Sequence, residues 1–424
     1  MSPLARLGGR TFASVRKHRN YRLYFAGQAV SFTGTWMQQI AASWLVLDLT
    51  HSAVAVGALA LCQLLPVSVL GLFVGTLLDR LDRRRTVITT ESLGMVNAAV
   101  LAALTLSGAV TVWEIYLLAA LQGVVGTVDG PARQALVFEM VGVEDLPNAV
   151  ALSSSLGTLA RILGPAFGGA VVAFAGAGVA FAINAASFLA ILVSLFAMDR
   201  TRFTPVLRDA SATLLRGAAD GLRFVAASPR AAVVFCTVFF LATFSFNFNV
   251  LLPLLASRTL HAGAQVFGLV AAVFGAVALC GAIVNATRGR ASLRLLLAGA
   301  AGFGAFELAL APARSLPLVC VLLFATGVSY TLWGTNALAS LQLAAPAHLR
   351  GRAASLYFFA FQGGAPLGGL CAGWIVSVDG TRLAFAVAGS VALLTSAVGA
   401  ATLHRRAGRR GQASTAAEVA EARA

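Results

Sequence analysis

Apolar residues recur in runs of about twenty along almost the whole chain, and polar residues gather in short clusters between the runs. About twenty residues at 1.5 Å rise is the helix length that crosses a hydrocarbon layer of roughly 30 Å. The runs predict helices near 23–47, 54–78, 86–108, 114–137, 148–173, 178–198, 231–256, 266–286, 292–312, 316–340, 353–377 and 382–403. Backbone groups in hydrocarbon have no water to bond to, so a spanning segment has to satisfy them internally. The expected fold class is therefore an all-α membrane protein of twelve transmembrane helices in two pseudo-symmetric six-helix bundles.

The polar segments divide the chain further. A basic cytoplasmic tail covers 1–22 and an N-terminal bundle 23–198. A cytoplasmic linker, 199–230, carries Leu214, Ala218, Leu222 and Val225 at helical spacing, with Arg216, Asp220 and Arg223 on other faces. That pattern fits an amphipathic helix at a membrane interface. A C-terminal bundle covers 231–403, and 404–424 reads as a disordered cytoplasmic tail. Repetition supports the division into halves. Asp79 closes the run at 54–78 and Asn285 closes that at 266–286, 206 positions later. Gly164-Pro165-Ala-Phe-Gly168-Gly169 is echoed near one such period by Ala365-Pro366-Leu-Gly368-Gly369. A duplicated six-helix unit accounts for both.

Composition and charge sharpen this picture. Of 424 residues 58% are hydrophobic and 11% charged, against about a quarter charged in soluble domains. The formal net charge of +15 does not suggest nucleic acid, because the basic residues lie between apolar runs rather than on one soluble face. With the N-terminus inside, the predicted cytoplasmic segments, together with the cytoplasmic ends of the spans, hold 27 of the 31 Lys and Arg. External loops hold Arg258, Arg314 and Arg382, and Arg161 falls inside a helix. This asymmetry places both termini in the cytoplasm of a multi-pass inner or plasma membrane protein. The N-terminal run is too long for a cleavable signal and lacks a cleavage site. The five cysteines lie in apolar runs without metal or disulfide spacing, and the histidines are scattered. No metal, no cofactor and no enzymatic cluster is expected, nor is a phosphate-binding GxxxxGK[ST] loop present.

Charged groups inside hydrocarbon are costly and mark function. Glu91, Asp129, Arg161 and Glu307 are the candidates, all for proton coupling. By helix rise, Arg161 and Asp129 lie at depths roughly 8 Å apart, within reach of one long side chain. A buried Asp129–Arg161 pair that makes and breaks with protonation is the expectation, beside a purely structural pair. Glu91 is expected at an interface, and Glu307 near the external end of its helix, where it could snorkel. Candidates to line a substrate cavity are Gln38, Gln63, Asn184, Phe246, Asn247, Asn249, Trp333, Asn336 and Gln362. The stretch Phe244–Pro253 combines stacking surface, amides and a helix break. Gly164, Pro165, Gly168 and Gly169 predict a kinked helix with a flat glycine face.

The loop after the second run reads Gly75-x-x-x-Asp79-Arg80-x-Asp82-Arg83-Arg84-Arg85. It resembles the signature of the major facilitator superfamily, with Asp82 where a glycine usually stands. Gly164-Pro165-x-x-Gly168-Gly169 is similar to the second half of the motif of that family's exporter branches. Gln122-Gly123 resembles its fourth-helix motif, with Ala119 in place of the usual arginine. Pro131-Ala-Arg133-Gln-Ala, Asn148-Ala149 and Leu349-Arg350-Gly351-Arg352 resemble the branch containing enterobactin exporters and macrolide efflux proteins. The resemblance implies the major facilitator fold, with Gly75, Asp79, Arg80, Arg83 and Arg84 latching one access state. It also implies export of a small amphipathic molecule by a monomer in the lipid bilayer, in exchange for protons. An importer of a small polar metabolite and a non-transporting receptor or scaffold are the alternatives.

Overall fold

The computed structural model describes residues 12–78, 81–203, 223–274, 292–345 and 350–421, and all helices and turns named below lie within them. A short helix α1 (Ala13–Lys17) precedes α2 (Arg19–Thr50), α3 (Ala53–Leu78), α4 (Arg83–Leu106), α5 (Val112–Ala175) and α6 (Ala177–Phe196). The second half opens with α7 (Pro229–Phe240), a π-helical turn Leu241–Ser245, α8 (Phe248–Leu254) and a second π-helical turn Leu255–Thr259. It continues with α9 (Ala264–Phe274), then α10 (Leu293–Leu310), α11 (Leu316–Ala344), α12 (Arg350–Gly363) and α13 (Ala365–Glu421).

Nine helical segments among the described residues are long and apolar enough to cross a membrane. The other predicted spans have individual explanations. The span at 23–47 is helical within α2 but polar, carrying Gln28, Gln38 and Gln39. That at 266–286 runs past Phe274 into residues outside those described. Those at 353–377 and 382–403 share one helical stretch bent at Asp379 and Gly380. The predicted pair at 114–137 and 148–173, both among the nine, runs as one helical stretch α5 bent at Gly142. At both bends glycine takes a positive φ, 70° at Gly142 and 73° at Gly380, which other side chains adopt only with strain. Helix starts are capped by the residues the sequence supplies. Asp82 accepts from Arg85 N–H at 2.8 Å, and Thr111 and Glu114 form a capping box.

Three expectations need correction. The backbone at 404–421 is helical, continuing α13, where a disordered tail was expected. Gly164–Gly169 does not break its helix: no residue of that stretch leaves helical φ/ψ. Its glycine face is packed against a neighbouring helix. A Cβ on Gly164 would approach Thr33 O to 2.9 Å and one on Gly168 would approach Met37 O to 3.0 Å, so α5 lies directly on α2. The basic tail also contains a docked element. In α1, Ser14 N–H and Oγ both donate to Asn148 Oδ1, at 3.0 and 2.8 Å, and Lys17 Nζ pairs with Asp145 at 2.7 Å. Most of the linker expected at 199–230 lies outside the described residues, as does Asn285.

Within the first half α2 packs on α5 and α6, and α4 packs on α6. Within the second, α10 packs on α11 and α13. The halves meet where α3 lies against α13 and α5 against α9. Small residues let these backbones touch. A Cβ on Gly57 would come within 2.7 Å of Gly369 O, and Gly169 abuts Gly268. At the same end, Arg258 Nη2 donates to His51 O at 2.9 Å and Trp44 stacks on Phe267 at 5.5 Å. That end of the interface is closed.

Candidate functional site

The first half buries a trio of charges. Asp129 and Arg133 are one helical turn apart on α5 and form an ion pair, and Arg133 Nη2 also lies 3.0 Å from Glu91 Oε1 on α4. Residues at i and i+4 face the same way on a helix, which brings Arg133 to Asp129. Thr90 Oγ1 donates to Asp129 Oδ1 at 2.7 Å, and Ser31 Oγ reaches Glu91 Oε2 at 3.5 Å. From α2 the ring of Phe32 covers the Arg133 guanidinium at 4.7 Å. Glu91 is 1% and Asp129 5% exposed. The trio therefore holds two carboxylates and one guanidinium in apolar surroundings, one negative charge in excess when all are ionised.

This arrangement corrects the expected Asp129–Arg161 pair. Arg133 is nearer to Asp129 along its own helix, and Arg161 points elsewhere. Arg161 Nη1 donates to Tyr330 Oη on α11 at 3.2 Å, and its guanidinium lies 4.9 Å from the Trp36 ring centroid. Arg161 thus bridges the two halves, with no carboxylate in ion-pair range among the described residues. Glu307 is corrected too. It is fully buried on α10 rather than snorkelling, and neither carboxyl oxygen has a hydrogen-bond partner among the described residues.

Three predicted cavity residues, Gln38, Gln63 and Asn184, line one cavity of ≈ 30 Å³ inside the first half. Thr35, Gln39, Asn97 and Gln122 join them, and Asn184 Nδ2 donates to Gln38 Oε1 at 2.7 Å. The volume suits one or two waters. The predicted residues of the second half separate. Phe246 and Trp333 belong to an aromatic cluster around Tyr330, where Phe246 stacks on Tyr330 at 4.6 Å and Trp333 on Phe361 at 6.2 Å. Phe248, Phe274 and Phe303 extend the cluster. The break in the seventh predicted span is present, with Phe246 and Asn247 both off helical geometry. Two amides bond to nearby backbone, Asn247 donating to Thr243 O at 2.7 Å and Asn336 Oδ1 accepting from Ser292 N–H at 2.9 Å, whereas Gln362 is exposed and its backbone carbonyl accepts from Ser68 Oγ of the other half at 3.1 Å. Asn249 is half-buried.

In the loop motif, Gly75, Asp79 and Arg80 have side chains outside those described. Arg83 Nη1 pairs with Glu139 Oε1 at 2.9 Å, and Arg84 donates to Leu195 O at the end of α6 through Nε and Nη2. Asp82, the departure from the family pattern, caps α4.

Comparison with known proteins places this architecture. The staphyloferrin A transporter of Staphylococcus aureus is 27% identical over 251 residues, which span 58% of this chain and 62% of that one. The match therefore covers less than two thirds of that relative. The multidrug efflux pump Tap of Mycolicibacterium fortuitum is 27% identical over 83% of this chain and 88% of its own. The enterobactin exporter EntS of Escherichia coli is 26% identical over 73% and 74%. Among solved structures, the nucleoside transporter NupG superposes with a TM-score of 0.68 at 12% identity, over 91% of this chain and 98% of that one. A D-xylose-proton symporter superposes with a TM-score of 0.69 at 14% identity, over 90% and 97%. At such identities the two structures speak to the fold alone, and the fold is that of the major facilitator transporters. Residues 10–420 match the model of the transmembrane secretion effector family, and the chain belongs to that family of major facilitator transporters.

Proposed function

We propose that this chain is a secondary active transporter that exports a small lipophilic or amphipathic organic molecule by alternating access, in exchange for protons. The observation that carries the reading is the Glu91–Arg133–Asp129 trio. One guanidinium neutralises one of its two carboxylates, and uptake of one proton makes the whole neutral. A change in the spacing of α4 and α5 as the halves rock alters how well Arg133 serves each carboxylate, which links proton occupancy to access state. The aromatic cluster where the halves meet offers stacking surface for an amphipathic body. The Arg83–Glu139 and Arg84–Leu195 contacts hold the loop that would latch one state, on the side assigned to the cytoplasm with both termini. Relatives named as exporters and efflux pumps support the direction of transport.

The test uses the full chain in proteoliposomes with an imposed pH gradient. The probes are anionic, neutral and cationic amphiphiles sharing one pyrenebutyl body. At least one should accumulate against its gradient. Glu91→Gln and Asp129→Asn should each abolish accumulation while leaving downhill exchange of the same probe. Normal uphill transport with normal pH dependence in both variants would overturn coupling through the trio. No accumulation of any probe by the wild type would overturn the export reading.

A further inference from the structure

Among the described residues, Arg161 is the partly buried basic group at the meeting of the halves that has no carboxylate partner; Arg258, which also lies there, is exposed. The other cation buried at comparable depth, Arg133, is shared by two carboxylates. Among the described residues Arg161 meets instead a neutral donor-acceptor, the Tyr330 hydroxyl at 3.2 Å, and the face of Trp36 at 4.9 Å. A guanidinium carries five N–H donors. Here one donates to Tyr330, Nε is buried with no acceptor among the described residues, and the residue as a whole is partly buried. Fixed charge in low dielectric is expensive unless it meets an opposite charge. The remaining intramembrane carboxylates do not supply it. Glu91 and Asp129 are held by Arg133, and Glu307 has no hydrogen-bond partner among the described residues.

The surroundings specify more than charge. Tyr330, the partner of Arg161, is stacked on Phe246 and lies 5.7 Å from Trp333, centroid to centroid. A planar cation thus stands at the rim of an aromatic surface, one on each side of the boundary that opens when the halves rock. Such a pair of features takes an anion attached to an apolar, stackable body, with the carboxylate forked on the guanidinium and the body on the rings.

We infer that the substrate is an anionic amphiphile, a carboxylate-bearing molecule with an aromatic or otherwise flat apolar body, and that Arg161 binds its acidic group. The inference rests on the export reading only in taking the boundary between the halves as the path of the substrate. A charge-assisted hydrogen bond contributes roughly 1.5–3 kcal/mol, so removing the charge of the ligand or of Arg161 should weaken binding by about tenfold or more.

The test is binding of three probes of one shape to the purified full chain at pH 7.5. These are 1-pyrenebutyrate, its methyl ester and the corresponding pyrenebutyl trimethylammonium ion, read by energy transfer from tryptophan. Wild type should bind the carboxylate at least tenfold more tightly than the ester, and the ammonium ion most weakly. Arg161→Gln should bring carboxylate and ester within about twofold, Arg161→Lys should keep the sign of the preference but reduce its size, and Arg161→Glu should favour the ammonium ion. Unfolding temperatures of the variants show whether each is folded, and the order of wild-type affinities tests the inference without any variant. Equal affinity for the three probes, no binding of any, or an anion preference surviving in folded Arg161→Gln would overturn it. Uphill transport of a probe without anion preference would overturn this inference and leave export standing. Anion preference without transport of any probe would support this inference and overturn export.

Discussion

The two halves share a fold but keep opposite interiors. The first buries polar chemistry: the Glu91–Arg133–Asp129 trio, and a cavity lined by Gln38, Gln63, Asn97, Gln122 and Asn184. The second packs rings together, Phe248, Phe303 and Trp333 buried and Phe246 and Tyr330 partly so, and buries a lone carboxyl at Glu307. Equivalent joints persist despite this divergence. His51 and His261 both take positive φ at the ends of their spans, 50° and 49°, and Gly176 and Gly380 mark the last helix junction of each half. The two halves thus share these features of backbone geometry, whereas their interior side chains differ. On the proposed reading the first half handles the proton and the second half presents the apolar surface, with Arg161 reaching from one to the other.

The largest effect should come from removing the cation of the first half. Arg133→Ala leaves two carboxylates facing each other at 1% and 5% exposure. Stranding buried partners in this way costs about 3–5 kcal/mol. Membranes should contain little folded Arg133→Ala protein, and any recovered should unfold well below wild type. The triple variant Glu91→Gln, Asp129→Asn, Arg133→Met should recover stability, because it removes the charges together. A single variant as stable as wild type would dissolve the contrast, since the trio would then not be a buried unit.

The opposite sign is expected in the second half. Glu307 has no exposure and no hydrogen-bond partner among the described residues. An unsatisfied buried polar group costs about 1–3 kcal/mol. Glu307→Met keeps the length of the side chain and removes the polar atoms, so thermal unfolding of the purified variant should shift upward. A downward shift would mean that a charge network exists in this half too, and the two interiors would then differ in degree rather than in kind.

What the sequence made legible follows the same division. The spans were readable because hydrocarbon demands about twenty apolar residues whatever their order. Asp129 and Glu91 were readable because charge inside such a run is rare. Their partner was not, because a span ending near 137 puts Arg133 close to the polar end, where an arginine is ordinary. The Asp129-x-x-x-Arg133 spacing was the signal that could have found it. Phe246 was legible through the break beside it. Phe274 and Phe303 were not, since an aromatic residue in an all-apolar helix has no polar contrast to reveal its direction. Asn247 and Asn336 show the converse limit. An amide that bonds to nearby backbone and one that lines a cavity look alike in sequence, and only the hydrogen bonds to Thr243 O and Ser292 N–H separate them.

The smallest effect concerns an asymmetry at the surface of the first half, the docking of α1 on the bend of α5. Hydrogen bonds from Lys17 and then His18 hold the Asp145 carboxyl below its ordinary value of 3.8. A carboxyl whose pKa is depressed in the docked state favours docking fully above its undocked value. That contribution is lost as pH falls through the depressed one. The site is solvent-exposed and partly screened, so the contribution is small. Ser14, which bonds Asn148 and the Asp145 backbone carbonyl, should keep part of the contact at every pH. Amide hydrogen exchange at 13–17, corrected for the intrinsic rate, should therefore show protection that is flat near neutrality and falls modestly below about pH 4. Asp145→Asn should show the lower protection already at neutral pH and no further fall in acid. If protection is unchanged by Asp145→Asn, the charges add nothing, and the Ser14–Asn148 hydrogen bonds alone hold the helix to the first half.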